Sequence, residues 1–298
     1  MYSVDGILNI NKAVGMTSHD VVARVRKILK QKRVGHTGTL DPMASGVLPI
    51  CVGQATRVAE YLSESGKAYQ AEITFGVMTD TYDAEGVVLS EKDTSALSRK
   101  QIEEMLPTFL GLQMQQPPRY SAIKIQGQPA YKLARAGEEM TLALRPIEII
   151  QLQVLTWNSP RLSLAVECSK GTYIRSLAND LGNMSGYGAY LSSLIRTRSG
   201  PFSLKESISL EQLAEAVEQD EVANYLFPAD SALQNYPAFH LDTTTAQYVL
   251  HGNPFSYQSS VEQNAKGLAR VYAPDGQFLA IAGWDAEQQR WQPKKVLA

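Results

Sequence analysis

Sulfur, histidine and nucleotide-binding glycine patterns are all scarce in this chain, and each scarcity removes a class of chemistry. Only two cysteines occur in 298 residues, Cys51 and Cys168. Each lies in an apolar, strand-like run where a buried free thiol is expected, and the count excludes a disulfide framework. A cytoplasmic location fits that usage. The four histidines, His19, His36, His240 and His251, form no H-x-x-x-H pair, and neither cysteine belongs to a CxxC. No metal site is expected. The chain has no G-x-x-x-x-G-K-[ST], no G-x-G-x-x-G between a strand and a helix, and no G-x-S-x-G. Any chemistry is therefore expected to need no nucleotide cofactor. Apolar runs stop short of the roughly 18 residues a membrane-spanning helix requires. The start, Met1 to Gly6, lacks the basic-then-apolar order of a secretory signal.

Excess positive charge is missing too, with a net charge of −2. Its distribution says more than its sum. Residues 206–230 hold Glu206, Glu211, Glu215, Glu218, Asp220, Glu221 and Asp230 with no Lys or Arg, which leaves the other residues at +5 together. Arg24, Arg26, Lys27, Lys30, Lys32 and Arg33 crowd ten positions. Between them, Val21, Val22, Val25, Ile28 and Leu29 recur at helical spacing behind the cap signal Thr17-Ser18-His19-Asp20. The segment reads as an amphipathic helix of about three turns. Its cationic face is either a solvated surface or a phosphate-contacting one.

A chain of this length with 44% hydrophobic residues buries a sizeable core without staples. Residues 7–11 read as a short strand, and 67–76 alternate as a half-buried strand with Tyr69, Ala71, Ile73 and Phe75 on one face. A helix is expected from the Ser98/Gln101 capping box through Ile102, Met105, Leu106 and Phe109, with Gly111 at its exit. Residues 115–146 are too polar and broken for core and read as an excursion. Strands at 147–157 and 161–168 follow. The Lys170–Arg175 run then opens a helix, and Ser209/Gln212 caps the acidic one. Beyond about residue 232, short apolar pieces separated by Pro237, Pro254 and Pro274 suggest a small β-rich domain.

The segment Gly35-His36-Thr37-Gly38-Thr39-Leu40-Asp41-Pro42 holds the one carboxylate that invites a chemical reading. Pro42 disfavours helical backbone at Asp41, and glycines at 35, 38 and 46 permit angles closed to other residues. On spacing alone the plainer account is favoured, an Asx-type turn in which Asp41 bonds local amides.

Residues 35–49, from Gly35-His36-Thr37-Gly38-Thr39-Leu40-Asp41-Pro42 on to Pro49, closely resemble the catalytic motif of bacterial tRNA pseudouridine-55 synthases, the B-type family. Asn11-Lys12-x-x-Gly15-Met16-Thr17-Ser18 is similar to that family's N-terminal motif. Lys67-Ala68-Tyr69 resembles its Lys-x-Tyr strand, and Thr79-Asp80-Thr81-x-Asp83 the turn that follows. Tyr120-Ser121-Ala122-x-Lys124 resembles the start of its thumb-like insertion, and Cys168–Arg175 its second active-site segment. The likeness covers roughly residues 5–230, and residues 235–298 resemble an appended PUA domain.

What the resemblance implies is an α+β pseudouridine-synthase fold. A mixed, largely antiparallel central sheet flanked by helices and loops would occupy residues 1–232, with the thumb at 115–146 and a β-rich PUA-like RNA-binding domain at 233–298. The implied activity is isomerisation of a uridine in the T-arm stem-loop of tRNA, position 55 of the RNA, by base flipping, without cofactor, metal or membrane, and as a monomer. Asp41 would be the nucleophile, Arg175 its ion-pair partner, and Tyr69 a wall for the base and a candidate acid or base. Tyr173 and Leu194 would contact substrate, and His36 would hold the RNA open. Lys12, Arg24, Lys27, Lys124, Lys132 and Arg135 would meet the RNA backbone. Where the family commonly has Leu-Arg-Arg, this chain has Leu194-Ile195-Arg196, with Arg198 just beyond. That difference implies that one phosphate contact is lost or relocated. Two other classes stay in play: an RNA-binding protein without chemistry, and a loop-carboxylate hydrolase.

Overall fold

A computed structural model describes residues 4–121, 123–125, 127–138, 140–257 and 267–297. Residues 1–3 of the N-terminal reading, Ala122 of the insertion motif, and 258–266 and 298 of the C-terminal reading lie outside that set. Strand β1 (Gly6–Lys12) leads into α1 (Ser18–Leu29), β2 (Val34–His36) and β3 (Ala44–Val52). A short α2 (Ala59–Ser63) precedes β4 (Lys67–Phe75) and the hairpin of β5 (Val77–Thr79) and β6 (Val88–Glu91). Next come α3 (Arg99–Met105), β7 (Gly111–Gln115), the small hairpin β8 (Lys124–Ile125) and β9 (Gln128–Pro129), and α4 (Ala130–Arg135). The chain returns through β10 (Arg145–Asn158) and β11 (Arg161–Cys168) to α5 (Ile174–Ser185) and β12 (Ala189–Ser199). β13 (Phe202–Ser203), α6 (Leu210–Glu218) and β14 (Leu226–Phe227) follow. The C-terminal part holds β15 (Ala238–His240), α7 (Thr243–Leu250), β16 (Leu268–Tyr272), β17 (Phe278–Asp285) and β18 (Arg290–Val296).

Among the described residues, ten strands form one sheet in the order β14-β1-β3-β12-β4-β11-β10-β7, with β2 on β3 and β13 on β12. Every pairing is antiparallel except β3 with β12, so the sheet is mixed and largely antiparallel. The insertion leaves from β7 and re-enters at β10, which pair with each other at the sheet's edge. α1 forms where the spacing placed it. Thr17 Oγ1 accepts the Asp20 amide at 3.1 Å, and the Asp20 carboxylate accepts the Thr17 amide at 2.8 Å. Val21, Val22, Val25 and Leu29 bury against the sheet, each contributing roughly 1.5–3 kcal/mol. The turn at Lys30, with φ of 51°, ends the helix.

Two local expectations fail for identifiable reasons. The 98–109 helix is α-helical only to Met105; residues 106–109 tighten into a 3-10 turn at Pro107, which has no N–H to continue the ladder, and Gly111 opens β7 instead. Of the glycines at 35, 38 and 46, only Gly46 has a left-handed φ, +102°. A Cβ there would lie 2.3 Å from the Arg196 carbonyl oxygen, so Gly46 is what lets β3 press against β12.

The C-terminal strands β15-β16-β17-β18 form a separate sheet. One core lies beneath it, built on Phe239, Val249, Val271 and Trp291. Strand β17 is buried on both faces, however. Ile281 joins Leu297 and Leu233 in a second cluster with Ile7, Val47, Cys51, Val58, Leu62 and Phe202 from the side of the ten-stranded sheet. The ion pair Lys295–Glu60, at 3.1 Å, borders this seam. The two parts therefore share an apolar core. Ile281→Ala should cost about 2–5 kcal/mol and lower one cooperative melting transition, read by calorimetry. Two separated transitions in the unmodified chain would show that the cores are independent.

Candidate active site

Three neighbouring strands set the floor of the site. In register, Arg196 of β12 sits beside Gly46 of β3 on one side and Tyr69 of β4 on the other, and Leu194 sits beside Ala44 and Ala71. The loop 37–43 enters β3 just above this row. Cys168 pairs with Lys67 at the end of β11, so the segment 169–175 leaves the sheet at the same end and closes the opposite wall. Between them lies a pocket of about 280 Å³ lined by Asp41, Tyr69, Tyr173, Arg175 and Leu194 among others. Four segments that lie far apart in sequence thus line one cavity.

Arg175 is almost fully buried at the start of α5 and is gripped from several sides. Its Nε lies 3.0 Å from Asp41 Oδ2, a close ion contact rather than an aligned hydrogen bond. Its Nη1 lies 3.3 Å from Asp83 Oδ2 and donates to the Thr81 carbonyl at 3.4 Å. Its Nη2 donates to the Tyr120 carbonyl at 2.9 Å. Asp83 is in turn held by the Thr81 hydroxyl at 2.6 Å and the Glu85 amide at 3.1 Å. One guanidinium thus bridges two carboxylates and ties the 79–85 turn and the base of the insertion to the 37–43 loop.

The Asp41 side chain keeps 36% of its surface open to the pocket. The protein around it still removes enough water that burial, the largest influence, pushes its carboxyl above the usual range, with Asp83 adding to the rise. The charges of Arg175 and Lys12 oppose it. The loop that carries Asp41 is held residue by residue. Ser18 Oγ donates to the Leu40 carbonyl at 3.1 Å and accepts the Leu40 amide at 2.8 Å. The Asp41 carbonyl accepts the Ala44 amide at 3.1 Å. Such closure of backbone groups makes a loop hold one geometry.

Lys12 is corrected by the structure. Expected to meet RNA, its ammonium is fully buried and donates to the carbonyls of Ala13, Met16 and Pro42 at 3.0, 2.7 and 3.4 Å. Burial drives its pKa down to about 8. It braces the loop and has no face left for a phosphate. In the Leu194-Ile195-Arg196 run, Arg196 is 1% exposed and faces the loop, not solvent, and Arg198 pairs with Glu167.

Tyr69 lines the pocket beside the Arg196 guanidinium, and burial raises its pKa. Tyr173 is fixed by Gln115, whose side-chain amide accepts the Tyr173 N–H at 2.8 Å and donates to its carbonyl at 3.0 Å. Burial raises the Tyr173 pKa also. Leu194 is buried in the pocket wall. His36 stands outside the pocket lining, edge-on to His19 with ring centroids 5.5 Å apart, and burial lowers its pKa. Arg24 and Lys27 are exposed on α1, and Lys124, Lys132 and Arg135 on the insertion. The acidic α6 packs beside α1, and the charge of Arg24 is felt at Glu211. Spacing missed Arg196, Ser18 and Gln115, and gave Asp83 no role. Asp83 carried a signal in the 79–83 turn motif; the others act through backbone contacts that only the fold brings about.

Residues 26–174 match the TruB family pseudouridylate synthase N-terminal domain. Residues 175–234 match the tRNA pseudouridylate synthase B C-terminal domain, and 237–297 the C-terminal domain of pseudouridine synthase II TruB. The tRNA pseudouridine synthase B of Stutzerimonas stutzeri is 42% identical over 302 residues, covering 99% of this chain and 96% of the relative. That of Clostridium kluyveri is 44% identical over 279 residues, covering 93% and 95%. The chain belongs to the TruB family of pseudouridylate synthases. Among solved structures, a chain of a Cbf5–Nop10–Gar1 complex superposes with a TM-score of 0.75 at 26% identity, covering 98% of this chain and 85% of that one. A chain of an H/ACA ribonucleoprotein bound to a substrate RNA containing 2′-deoxyuridine gives the same TM-score at 25% identity over 98% of this chain and 85% of that one. The pseudouridine-synthase fold and the C-terminal TruB domain follow from these matches.

For a TruB synthase the raised Asp41 carboxyl has a measurable consequence. If Asp41 is the nucleophile, attack needs its ionised form. The acid limb of kcat/KM should therefore lie above about 3.9, the value of an unperturbed aspartate. Asp83→Asn removes a charge that raises Asp41, so the limb should move to lower pH. The rate should also fall about 100-fold as Arg175 loses a fixed partner. A pH–rate profile whose limb stays put or moves up in that variant contradicts the coupling.

Proposed function

We propose that the chain converts a uridine in the T-arm loop of tRNA, position 55 of the RNA, to pseudouridine, acting as a monomer with Asp41 as nucleophile and no cofactor. The observation that carries the reading is the Asp41–Arg175–Asp83 chain of charges, buried at Arg175 and Asp83 and open at Asp41 to a pocket walled by Tyr69, Tyr173 and Leu194. The names of the Stutzerimonas and Clostridium relatives support tRNA as the substrate.

The reaction balances within the substrate. Attack by the Asp41 carboxylate leads to cleavage of the N1–C1′ bond. The base turns in the pocket and C5 joins C1′. The proton leaves C5, N1 takes one up, and Asp41 is released unchanged. No electron is gained or lost. A base inside a stacked loop cannot reach this floor, so the nucleotide must be everted. Tyr69 and Tyr173 would pack against the flipped ring, with the Tyr69 hydroxyl as acid or base at C5. His36, beyond the pocket rim, would fill the space the base vacates. Arg24 and Lys27 on α1, with Lys124, Lys132 and Arg135 on the insertion, would contact phosphates from two sides. Recognition of a hairpin loop through shape, backbone and one unstacked base is the common mode for structured RNA.

Incubation with unmodified tRNA transcript and mapping at single-nucleotide resolution should show pseudouridine in the T-arm loop. Modification confined to another arm overturns the site assignment. Asp41→Asn should bind the transcript within about threefold of wild type and form no product, since it removes an interaction needed only in the chemical step. Substantial turnover by that variant would eliminate the nucleophile. If the unmodified chain binds but never turns over, it is an RNA-binding protein without chemistry.

A further inference from the structure

Arg196 is the largest side chain among those the fold buries completely. Among the described residues no carboxylate lies within ion-pair distance of it, although a buried charge ordinarily demands a partner. Its guanidinium is instead surrounded by backbone oxygen. Nε donates to the Val47 carbonyl at 2.6 Å, Nη2 to Gly38 at 3.2 Å and Nη1 to Thr39 at 3.5 Å. Gly38 and Thr39 precede Asp41 and Val47 follows it, so one planar group fastens both arms of the loop. The same guanidinium lies against Tyr69, its antiparallel neighbour on β4. The residue is also fixed from the β3 side, where the missing side chain of Gly46 leaves just enough room for the Arg196 backbone.

We propose that Arg196 is a positioning residue for the isomerisation, a clamp that joins the two arms of the Asp41 loop to Tyr69 so that the nucleophile and the wall of the base pocket form one rigid unit. The proposal rests on the isomerase reading above. Arg175 sets the charge of Asp41 from the pocket side; Arg196 sets the place of its backbone from beneath. The role needs the flat fork of an arginine, because a lysine ammonium carries the charge but does not span carbonyls on both sides of the loop.

Two variants test it, Arg196→Lys and the neutral Arg196→Gln, which removes the buried charge and keeps a hydrogen-bonding amide. Three properties are read: tRNA affinity with its salt dependence, the single-turnover rate at saturating enzyme, and amide exchange over residues 37–44. The clamp predicts folded variants that bind tRNA within about threefold of wild type with an unchanged salt slope, lose about 100-fold or more in single-turnover rate, and exchange the loop amides faster. Lysine should rescue little more than glutamine. Weaker binding with a shallower salt slope would make Arg196 a phosphate contact and overturn the proposal. Full rate in either variant overturns it as well. If neither variant folds, Arg196 belongs to the scaffold and the proposal also fails. A wild-type chain that leaves the transcript unmodified would remove the isomerase reading, while the exchange measurement would still report on the clamp.

Discussion

The site depends on one buried cation placed between two carboxylates. Arg175 cannot leave its position without leaving Asp41 and Asp83 unpaired in a partly dry pocket, and neither carboxylate can be satisfied as well by the other. Breaking a buried pair from one side typically costs about 3–5 kcal/mol, so the three groups hold each other in register. The elements that carry them come from distant parts of the chain: the loop before β3, the turn after β5, and the first residues of α5. Through Arg175 Nη2 the same contact reaches Tyr120 at the root of the insertion. The guanidinium beside Asp41 thus also anchors the root of the insertion.

The rest of the fold serves to hold that arrangement still. Catalysis by positioning requires the reacting group to be in place before substrate arrives. The loop bearing Asp41 meets this through closed backbone hydrogen bonds rather than regular secondary structure. Lys12 and Ser18, from the chain just before and at the start of α1, brace it on one side, and Arg196 in β12 braces it from below. Among the described residues, two of these braces are buried cations with no carboxylate in ion-pair contact, stabilised by carbonyl dipoles. Their burial is costly, which shows in the lowered pKa of Lys12. On the far face of the sheet, Ile281 of β17 and Leu297, just past β18, pack behind β3. The C-terminal part is in this way among the supports of the strand that follows Asp41.

Much of this was legible in the residue order, and the failures have a common cause. The helix at 18–29, the alternating strand at 67–75 and the capping boxes at Ser98 and Ser209 are local events, set by periodicity and by side chains bonding backbone three residues away. Asp41 alone was indistinguishable from a turn aspartate. It stood out only with the segments around Tyr69 and Arg175, and the fold brings those segments to one cavity. Lys12 was misjudged, and Arg196 missed, because a cation in a sequence is read as exposed. Their partners are carbonyls on strands and loops that pair only in three dimensions. The shared core around Ile281 was hidden for a related reason, since a strand buried on both faces reads the same whether its second face meets its own domain or a neighbouring one.

The central claim is that Asp41 is held in a site that resists its charge and is kept usable by Arg175. Its titration can be observed directly. Carboxyl carbon resonances of aspartate-labelled protein, with Asp41→Asn used to assign the missing signal, give the Asp41 pKa in the free enzyme. The account predicts a midpoint above that of an ordinary aspartate, yet low enough that the group is ionised at neutral pH. A midpoint at or below the ordinary value would show that burial does not govern the carboxyl, and one above neutrality would show that Arg175 does not keep it charged.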